Sequence, residues 1–357
     1  MSRFGIGGTA ACFAVVQIAF AGIAVGQAPT TPSANESVMV ETPAPAPCPP
    51  GWLGLLGVYG AGENLLMILE RDGTLEGMVR GGRFYTLEVV GPDKFRFPNA
   101  GRLASRNVVF TRDASGKAIS LKLDEALLPR DPSSDGAVPR VRPARPVKDL
   151  VREARAASPP AEPPAPLPSD LVEVTSLDPS IRVDLRYAGD DNVVGEELLE
   201  TSRAFLQRPA AEELVRAHRA LARQGYGLVV RDAYRPWWVT KVVWDATPPE
   251  VRRFLADPAD GSGYNRGTTV DVGLYRLADG AIVGLPSPYG EMSVRAYRDF
   301  PGGTSEQRWH RDLLLEAMEA QDFSAQATQW WRYDLAEGRR YPILNLPFEG
   351  LPASPGK

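Results

Sequence analysis

The fold of this chain is decided by Ser262-Gly263-Tyr264-Asn265-Arg266-Gly267-Thr268-Thr269-Val270-Asp271, with Gln329-Trp330-Trp331-Arg332 following later. The run from Thr269 to Leu274 is apolar and β-branched, which predicts a strand that carries Asp271. The two segments hold one carboxylate and neither a histidine nor a cysteine. Because imidazole and thiolate ligands normally supply the fixed bonds of a first-row metal site, Asp271 alone would hold such an ion weakly.

The residues around this strand alternate between helical and strand patterns. Residues 210–224 and 308–321 have the apolar spacing of amphipathic helices, and Leu228-Val229-Val230 is a second strand candidate. Mixed patterns of this kind indicate the α+β class. We therefore predict an α+β domain with a central antiparallel sheet over residues 169–348, followed by a short tail at 349–357.

A smaller unit is predicted at residues 51–128, where short apolar runs alternate with turn residues such as Asp72-Gly73 and Gly91-Pro92-Asp93. This pattern favours a small all-β, barrel-like domain. Residues 29–50 and 129–168 are rich in proline and alanine, which is typical of linkers. Because proline-rich chains are extended, we expect the second linker to hold the two domains apart.

The first 28 residues have a basic start at Arg3, an apolar centre and small residues near Ala28, as in a cleaved secretory signal. An exported protein, periplasmic or extracellular, is the prediction. Pro29 disfavours cleavage directly after Ala28, so an uncleaved membrane tether is the alternative. Signal removal would take Cys12 and leave Cys48 as the one thiol, so no internal disulfide is expected.

Composition excludes some classes of function. The net charge of −4 is small and no long basic run is interleaved with aromatic residues, so a nucleic-acid partner is not expected. After signal cleavage no integral membrane domain is expected either. The chain has two histidines, His218 and His310, each within a helical pattern, and we interpret both as solvated helix residues.

Several segments in consistent order resemble the VanX-type D-alanyl-D-alanine dipeptidases, which are zinc peptidases. The similarity covers about residues 172–335 and is carried by 181–188 with Asn192, 231–236, 262–271, 298–302, 313–318 and 329–332. Members of that family have the patterns S-x-H-x-x-G-x-x-x-D and E-x-x-H. The resemblance thus implies a D-Ala-D-Ala peptidase fold for the second unit.

The resemblance also implies a site, and this chain departs from it. The family's zinc ligands His, Asp and His fall on Tyr264, Asp271 and Arg332, its general-base Glu falls on Gln329, and its oxyanion-stabilising Arg falls on Arg235. A glutamine cannot take a proton from water, and a guanidinium stays charged. We therefore predict that the metal positions are degenerate, that no cofactor is bound, and that Arg332 forms a salt bridge with Asp271.

Substrate-binding candidates by the same resemblance are Ser262, Asp232 and Arg235, because an Arg with a hydroxyl suits a carboxylate. The alternative for Arg235 is a structural ion pair with Asp232 or Asp184. The acidic residue that the family places in a G-T-P-F-D segment has no clear counterpart in residues 284–290. The sequence therefore does not predict recognition of a free dipeptide.

Three functions follow as hypotheses. The first is an exported homologue without hydrolytic activity that binds D-alanyl peptides or peptidoglycan fragments. The second is an active D-alanyl-D-alanine dipeptidase whose zinc uses a shifted site among Asp271, Asp299, Glu306 and His310. The third is a structural envelope protein without a ligand.

Overall fold

The computed structural model describes residues 43–79, 82–135 and 141–351. The predicted signal, most of the first linker, and the tail from residue 352 lie outside these ranges. Within them, no helix has both the length and the apolar character needed to cross a membrane.

The N-terminal part of the described chain is built from strands, as the turn pattern predicts. Two antiparallel sheets, with orders β1-β2-β3-β4 and β5-β6-β7-β8-β9, share one apolar core, and a bridge between Tyr59 and Arg130 joins them. One short helix, α1 (Pro50–Leu53), precedes the strands. The strands are β1 (Gly57–Tyr59), β2 (Leu66–Arg71), β3 (Thr74–Val79), β4 (Arg83–Thr86), β5 (Glu88–Gly91), β6 (Lys94–Arg96), β7 (Asn107–Arg112), β8 (Ala118–Leu123) and β9 (Ala126–Pro129).

The second part mixes helices with a five-stranded sheet of order β11-β13-β14-β16-β15. All neighbouring strands of this sheet are antiparallel except β11 and β13, which are parallel. Its helices are α2 (Val147–Ala156), α3 (Val174–Leu177), α4 (Arg208–Ala222), α5 (Trp237–Ala246), α6 (Gly263–Arg266) and α7 (Ser305–Glu319). Its strands are β10 (Leu171–Glu173), β11 (Arg182–Val183), β12 (Phe205–Gln207), β13 (Tyr226–Asp232), β14 (Thr269–Arg276), β15 (Phe323–Gln326) and β16 (Gln329–Leu335).

The helical spacing in the sequence corresponds to real packing. On α4 the apolar side chains Ala210, Leu214, Ala217 and Leu221 are buried against the sheet. Thr304 caps α7 with a reciprocal bond to Gln307, the capping box that fixes where a helix begins. The α+β class is confirmed.

The prediction that residues 129–168 form an extended spacer is wrong for part of that range. Residues 147–156 form α2, whose Val147, Leu150 and Ala154 are buried in the core of the second part. The guanidinium carbon of Arg155 lies 4.3 Å from the centre of the Trp238 ring on α5. Since the apolar face of α2 outweighs the prolines around it, this segment packs on the second domain.

The two domains are also in direct contact, where a separation was expected. Glu70 is fully buried at the end of β2, and its carboxylate accepts a hydrogen bond of 2.7 Å from the Ser305 backbone amide at the start of α7. Arg308 donates to the Glu70 carbonyl at 2.7 Å. Met67, Leu69 and Phe300 form a shared apolar cluster beside these bonds. A carboxylate at a helix N-terminus is favourable, so the β domain is fixed in place.

Both histidines lie on helices, but the interpretation of them as solvated is wrong. His218 and His310 are 2% and 4% exposed. The Nδ1 atom of His218 accepts the Leu228 amide at 3.0 Å. His310 Nε2 lies 3.0 Å from the Tyr226 hydroxyl, and burial lowers the pKa of His310 to about 4. Both histidines have a structural role, because each imidazole connects its helix to strand β13.

Candidate ligand-binding pocket

Three charged residues lie side by side across the middle of the central sheet. Asp271 on β14 is paired in register with Asp232 at the end of β13 and with Arg332 on β16. Opposed residues of an antiparallel pair point to one side of a sheet, so the register itself brings these side chains together. The order of the segments along the chain does not reveal this arrangement.

Asp271 is held by two tyrosine hydroxyls. Tyr264 donates to Oδ1 at 2.6 Å and Tyr289 donates to Oδ2 at 2.8 Å. The carboxyl is 3% exposed. Both of its oxygens therefore have a neutral donor, which satisfies a buried polar group without a cation.

Local geometry explains how Tyr264 reaches this place. Ser262 caps α6 by accepting the Asn265 amide, and Gly267 ends the helix with φ of 69°, a conformation that favours glycine. A Cβ atom at Gly263 would lie 1.8 Å from the Thr269 hydroxyl oxygen. Only glycine allows so close an approach of α6 to β14, so the tight turn presents the Tyr264 ring to Asp271.

The predicted salt bridge between Arg332 and Asp271 is wrong. The Nε and Nη2 atoms of Arg332 lie 3.4 Å from the Asp334 carboxylate, while the oxygens of Asp271 are taken by the tyrosines. The Tyr264 ring lies between two cations, with the guanidinium carbons of Arg332 and Arg235 5.0 Å and 4.3 Å from its centre. The phenol ring thus offers each guanidinium a cation–π contact.

Arg235 makes the structural ion pair that the sequence left open. Its Nη1 atom lies 2.8 Å from the Asp232 carboxylate, and the side chains are 6% and 2% exposed. Its Nε atom donates to the Thr240 hydroxyl at 3.1 Å. Burial disfavours the charged guanidinium, but the Asp232 carboxylate holds the pKa of Arg235 above its ordinary value.

The carboxyl of Asp271 titrates far from its usual range. Burial, and then the nearby charge of Asp232, raise its pKa to about 7, although the hydroxyls of Tyr264 and Tyr289 and the charge of Arg332 act in the opposite direction. Burial likewise raises the pKa of Asp232, with Arg235 opposing it. Burial beside Asp232 therefore disfavours the ionised form of Asp271 relative to a solvated aspartate.

These groups line a cavity of about 190 Å³. Arg235, Asp232, Tyr264, Asp271, Gln329 and Arg332 all border it, so most of the predicted site residues come together. Ser262 does not: it borders a neighbouring cleft, and its hydroxyl is used for capping α6. The remaining walls are mainly aromatic and aliphatic, and they include Tyr187, Val193, Phe254, Leu255, Pro288, Tyr289, Met292 and Trp331.

Tyr289 is the functional residue that sequence reasoning missed. It lies in the segment 284–290, where the family pattern has an acidic residue and this chain has none. Trp330, by contrast, donates its indole N–H to Ser287 at 2.9 Å and steadies this segment. The place of Tyr289 in the segment where the family has an acidic residue could have suggested a role in the site. Its partner Asp271, however, is distant in sequence.

Comparison with known proteins decides the family. A D-Ala-D-Ala dipeptidase family model matches residues 168–348. The chain belongs to the D-Ala-D-Ala dipeptidase family. It is 29% identical over 188 residues to the D-alanyl-D-alanine dipeptidase of Escherichia coli K12, covering 53% of this chain and 95% of that protein. It is 30% identical over 187 residues to the enzyme of the same name from Enterococcus faecium, covering 47% of this chain and 91% of the relative.

The dipeptidases of this family are zinc-dependent, and the residues of this site do not fit that ion. In the part of the chain that the structure describes, no group of three histidine, cysteine or carboxylate side chains could hold a metal. The shifted site of Asp271, Asp299, Glu306 and His310 is likewise not assembled, and His310 contacts Tyr226 instead. Asp271 already has a hydroxyl on each oxygen, so a cation there would have to share the carboxylate with two tyrosines.

Proposed function

We propose that this family member is a metal-free, non-hydrolytic binder of D-alanyl peptides, exported from the cell by its N-terminal signal. The observation that supports the proposal is that the hydroxyls of Tyr264 and Tyr289 donate hydrogen bonds to the Asp271 carboxylate, which borders the cavity. Gln329 borders the same cavity at the general-base position, where an amide cannot accept a proton from water.

The ligand class comes from the family and is supported by the shape of the pocket. The relatives are named for D-alanyl-D-alanine. The cavity has aromatic and aliphatic walls and a few converging polar groups, the usual composition of a small-molecule site. Loss of the metal and of the base removes the means of hydrolysis but leaves these walls in place.

Three measurements on the purified mature chain test this proposal. Elemental analysis after dialysis is expected to find no stoichiometric zinc. Incubation with D-alanyl-D-alanine and with acetyl-D-alanyl-D-alanine is expected to release no D-alanine. A bound peptide should raise the melting temperature, because a ligand at one hundred times its dissociation constant stabilises the folded state by about 2.7 kcal/mol.

Each failure points to a different conclusion. Stoichiometric zinc, or D-alanine release that a chelator abolishes, would establish the active enzyme. No shift in melting with any D-alanyl peptide, together with no zinc, would favour the structural envelope protein. The E. coli relative, assayed beside this chain, provides the control for substrate quality.

A further inference from the structure

The guanidinium of Arg332 is one of three that line the cavity, together with those of Arg186 and Arg235, and its ion pair is a long one. Two of its nitrogens approach the Asp334 carboxylate at 3.4 Å, which is beyond the usual range of an N–H to oxygen bond. Asp334 has closer donors in the Thr269 hydroxyl and the Gln326 amide. The third nitrogen, Nη1, has no partner among the described residues. Arg332 therefore retains donors for a ligand.

Arg235, the family's oxyanion residue by position, is differently placed. Its Nε and Nη1 atoms are used by Thr240 and Asp232, and the ion pair with Asp232 is buried. Breaking such a pair to bind another anion is costly, because a buried charge would be left without compensation.

Arg186, the third arginine of the cavity, is paired with Asp191 and Asp184. Among the described residues Arg332 has one ion pair, the long contact with Asp334, so it is the cation that a ligand can use at low cost.

A second donor borders the same cavity, three residues before Arg332 on β16. The side chain of Gln329 borders the cavity, and no described residue bonds to its amide. Asp271, which also borders the cavity, has its oxygens bonded to the hydroxyls of Tyr264 and Tyr289, which reduces repulsion towards an incoming anion. Fork-shaped guanidinium donors match the two oxygens of a carboxylate.

We infer that Arg332, with the amide of Gln329 lining the same cavity, is the receptor for the C-terminal carboxylate of the bound peptide. The inference rests on the proposed function and adds the orientation of the ligand: carboxylate at β16, with the peptide body against the walls formed by Tyr187, Phe254 and Met292. A position that holds a metal ligand in active relatives would then hold the group that binds the ligand's negative end.

Calorimetric titration of the mature chain with acetyl-D-alanyl-D-alanine and with its C-terminal amide tests the inference. A hydrogen bond to a charged group is commonly strong enough to change affinity by about tenfold to a hundredfold. We expect the free acid to bind at least about tenfold more tightly than the amide. In Arg332→Gln that preference should disappear, while the affinity for the amide stays as in the parent.

One further variant separates the paired hydrogen bonds of a guanidinium from the effect of positive charge alone, and a second is a control. Arg332→Lys keeps the positive charge but cannot form two parallel bonds, so it should fold and show a reduced preference for the acid. Arg339→Gln is the matched control: Arg339 is exposed and borders the neighbouring cleft, and its removal should leave the preference unchanged. Circular dichroism melting of each variant verifies that it is folded.

The outcomes distinguish this inference from the proposed function. If the parent binds acid and amide equally well, the inference is overturned and the proposed function stands. If the parent binds neither, both fall together. A preference for the acid that survives in folded Arg332→Gln would place the carboxylate elsewhere and overturn the inference. Full preference in folded Arg332→Lys would keep the carboxylate at residue 332 and show that charge alone binds it.

Discussion

Replacing Asp271 with asparagine is expected to stabilise the folded chain at neutral and alkaline pH. Asparagine keeps the size of the side chain and can still bond to the hydroxyls of Tyr264 and Tyr289, but it carries no charge. The parent carboxyl must ionise within a buried site next to Asp232. The substitution removes that cost and leaves the surrounding packing unchanged.

The magnitude follows from the shift in pKa. In the folded chain the pKa of Asp271 rises from 3.8 to about 7. One pKa unit corresponds to about 1.4 kcal/mol, so a shift of roughly three units corresponds to about 4 kcal/mol. Because the folded pKa is the higher one, the folded state binds more protons between these values. The parent therefore loses stability as pH rises from about 4 to about 7, and Asp271→Asn does not suffer this loss.

Urea unfolding followed by tryptophan fluorescence, at several pH values between 4 and 8, measures the effect. The difference in unfolding free energy between Asp271→Asn and the parent should grow by up to about 4 kcal/mol in favour of the variant across this window. Asp299→Asn, at an exposed position, is the control and should give no such trend. A parent that is the more stable of the two at pH 8 would refute the reasoning, since a bound cation would then be stabilising the ionised Asp271.

Two other predictions concern the metal positions and the domain contact. The triple variant Tyr264→His, Gln329→Glu, Arg332→His restores the family's ligands, but Tyr289 still donates to Asp271. Adding Tyr289→Phe should therefore tighten zinc binding, measured by competition with a chromophoric chelator. Equal zinc affinities of the triple and quadruple variants would show that the Tyr289 hydroxyl does not compete with zinc. Removing the buried carboxylate in Glu70→Ala should lower the unfolding free energy by about 1–3 kcal/mol because the amide at the start of α7 loses its acceptor, and a change within the error of urea unfolding would contradict this.

Much of the fold could be predicted from the sequence because the elements are locally encoded. The helical spacing of residues 210–224 and 308–321 predicted α4 and α7 to within a few residues. The strand patterns at 228–230 and 269–274 correspond to β13 and β14. Periodicity reports which side of an element is buried, and that information lies within a short window. The family resemblance had the same basis, since it rests on ordered short segments.

The predictions that were wrong concern the tertiary contacts of these helices and strands. The predicted spacer at 129–168 contains α2, because burial of Val147 and Leu150 against the second domain outweighs a proline-rich composition. The two histidines are buried because each meets a partner from β13. Composition and spacing carry no information about such partners, which are brought together only when the chain packs.

The sequence by itself, through its resemblance to the family, predicted that Tyr264, Gln329 and Arg332 stand where the family pattern has metal ligands and a base. Only the tertiary structure decided what replaces them. Strand register placed Arg332 opposite Asp271. The Tyr289 hydroxyl nevertheless provides the second hydrogen bond to the Asp271 carboxylate, and the Arg332 side chain lines the cavity. A buried carboxyl takes whichever donors reach it with the best geometry, and that competition is settled among residues distant in sequence.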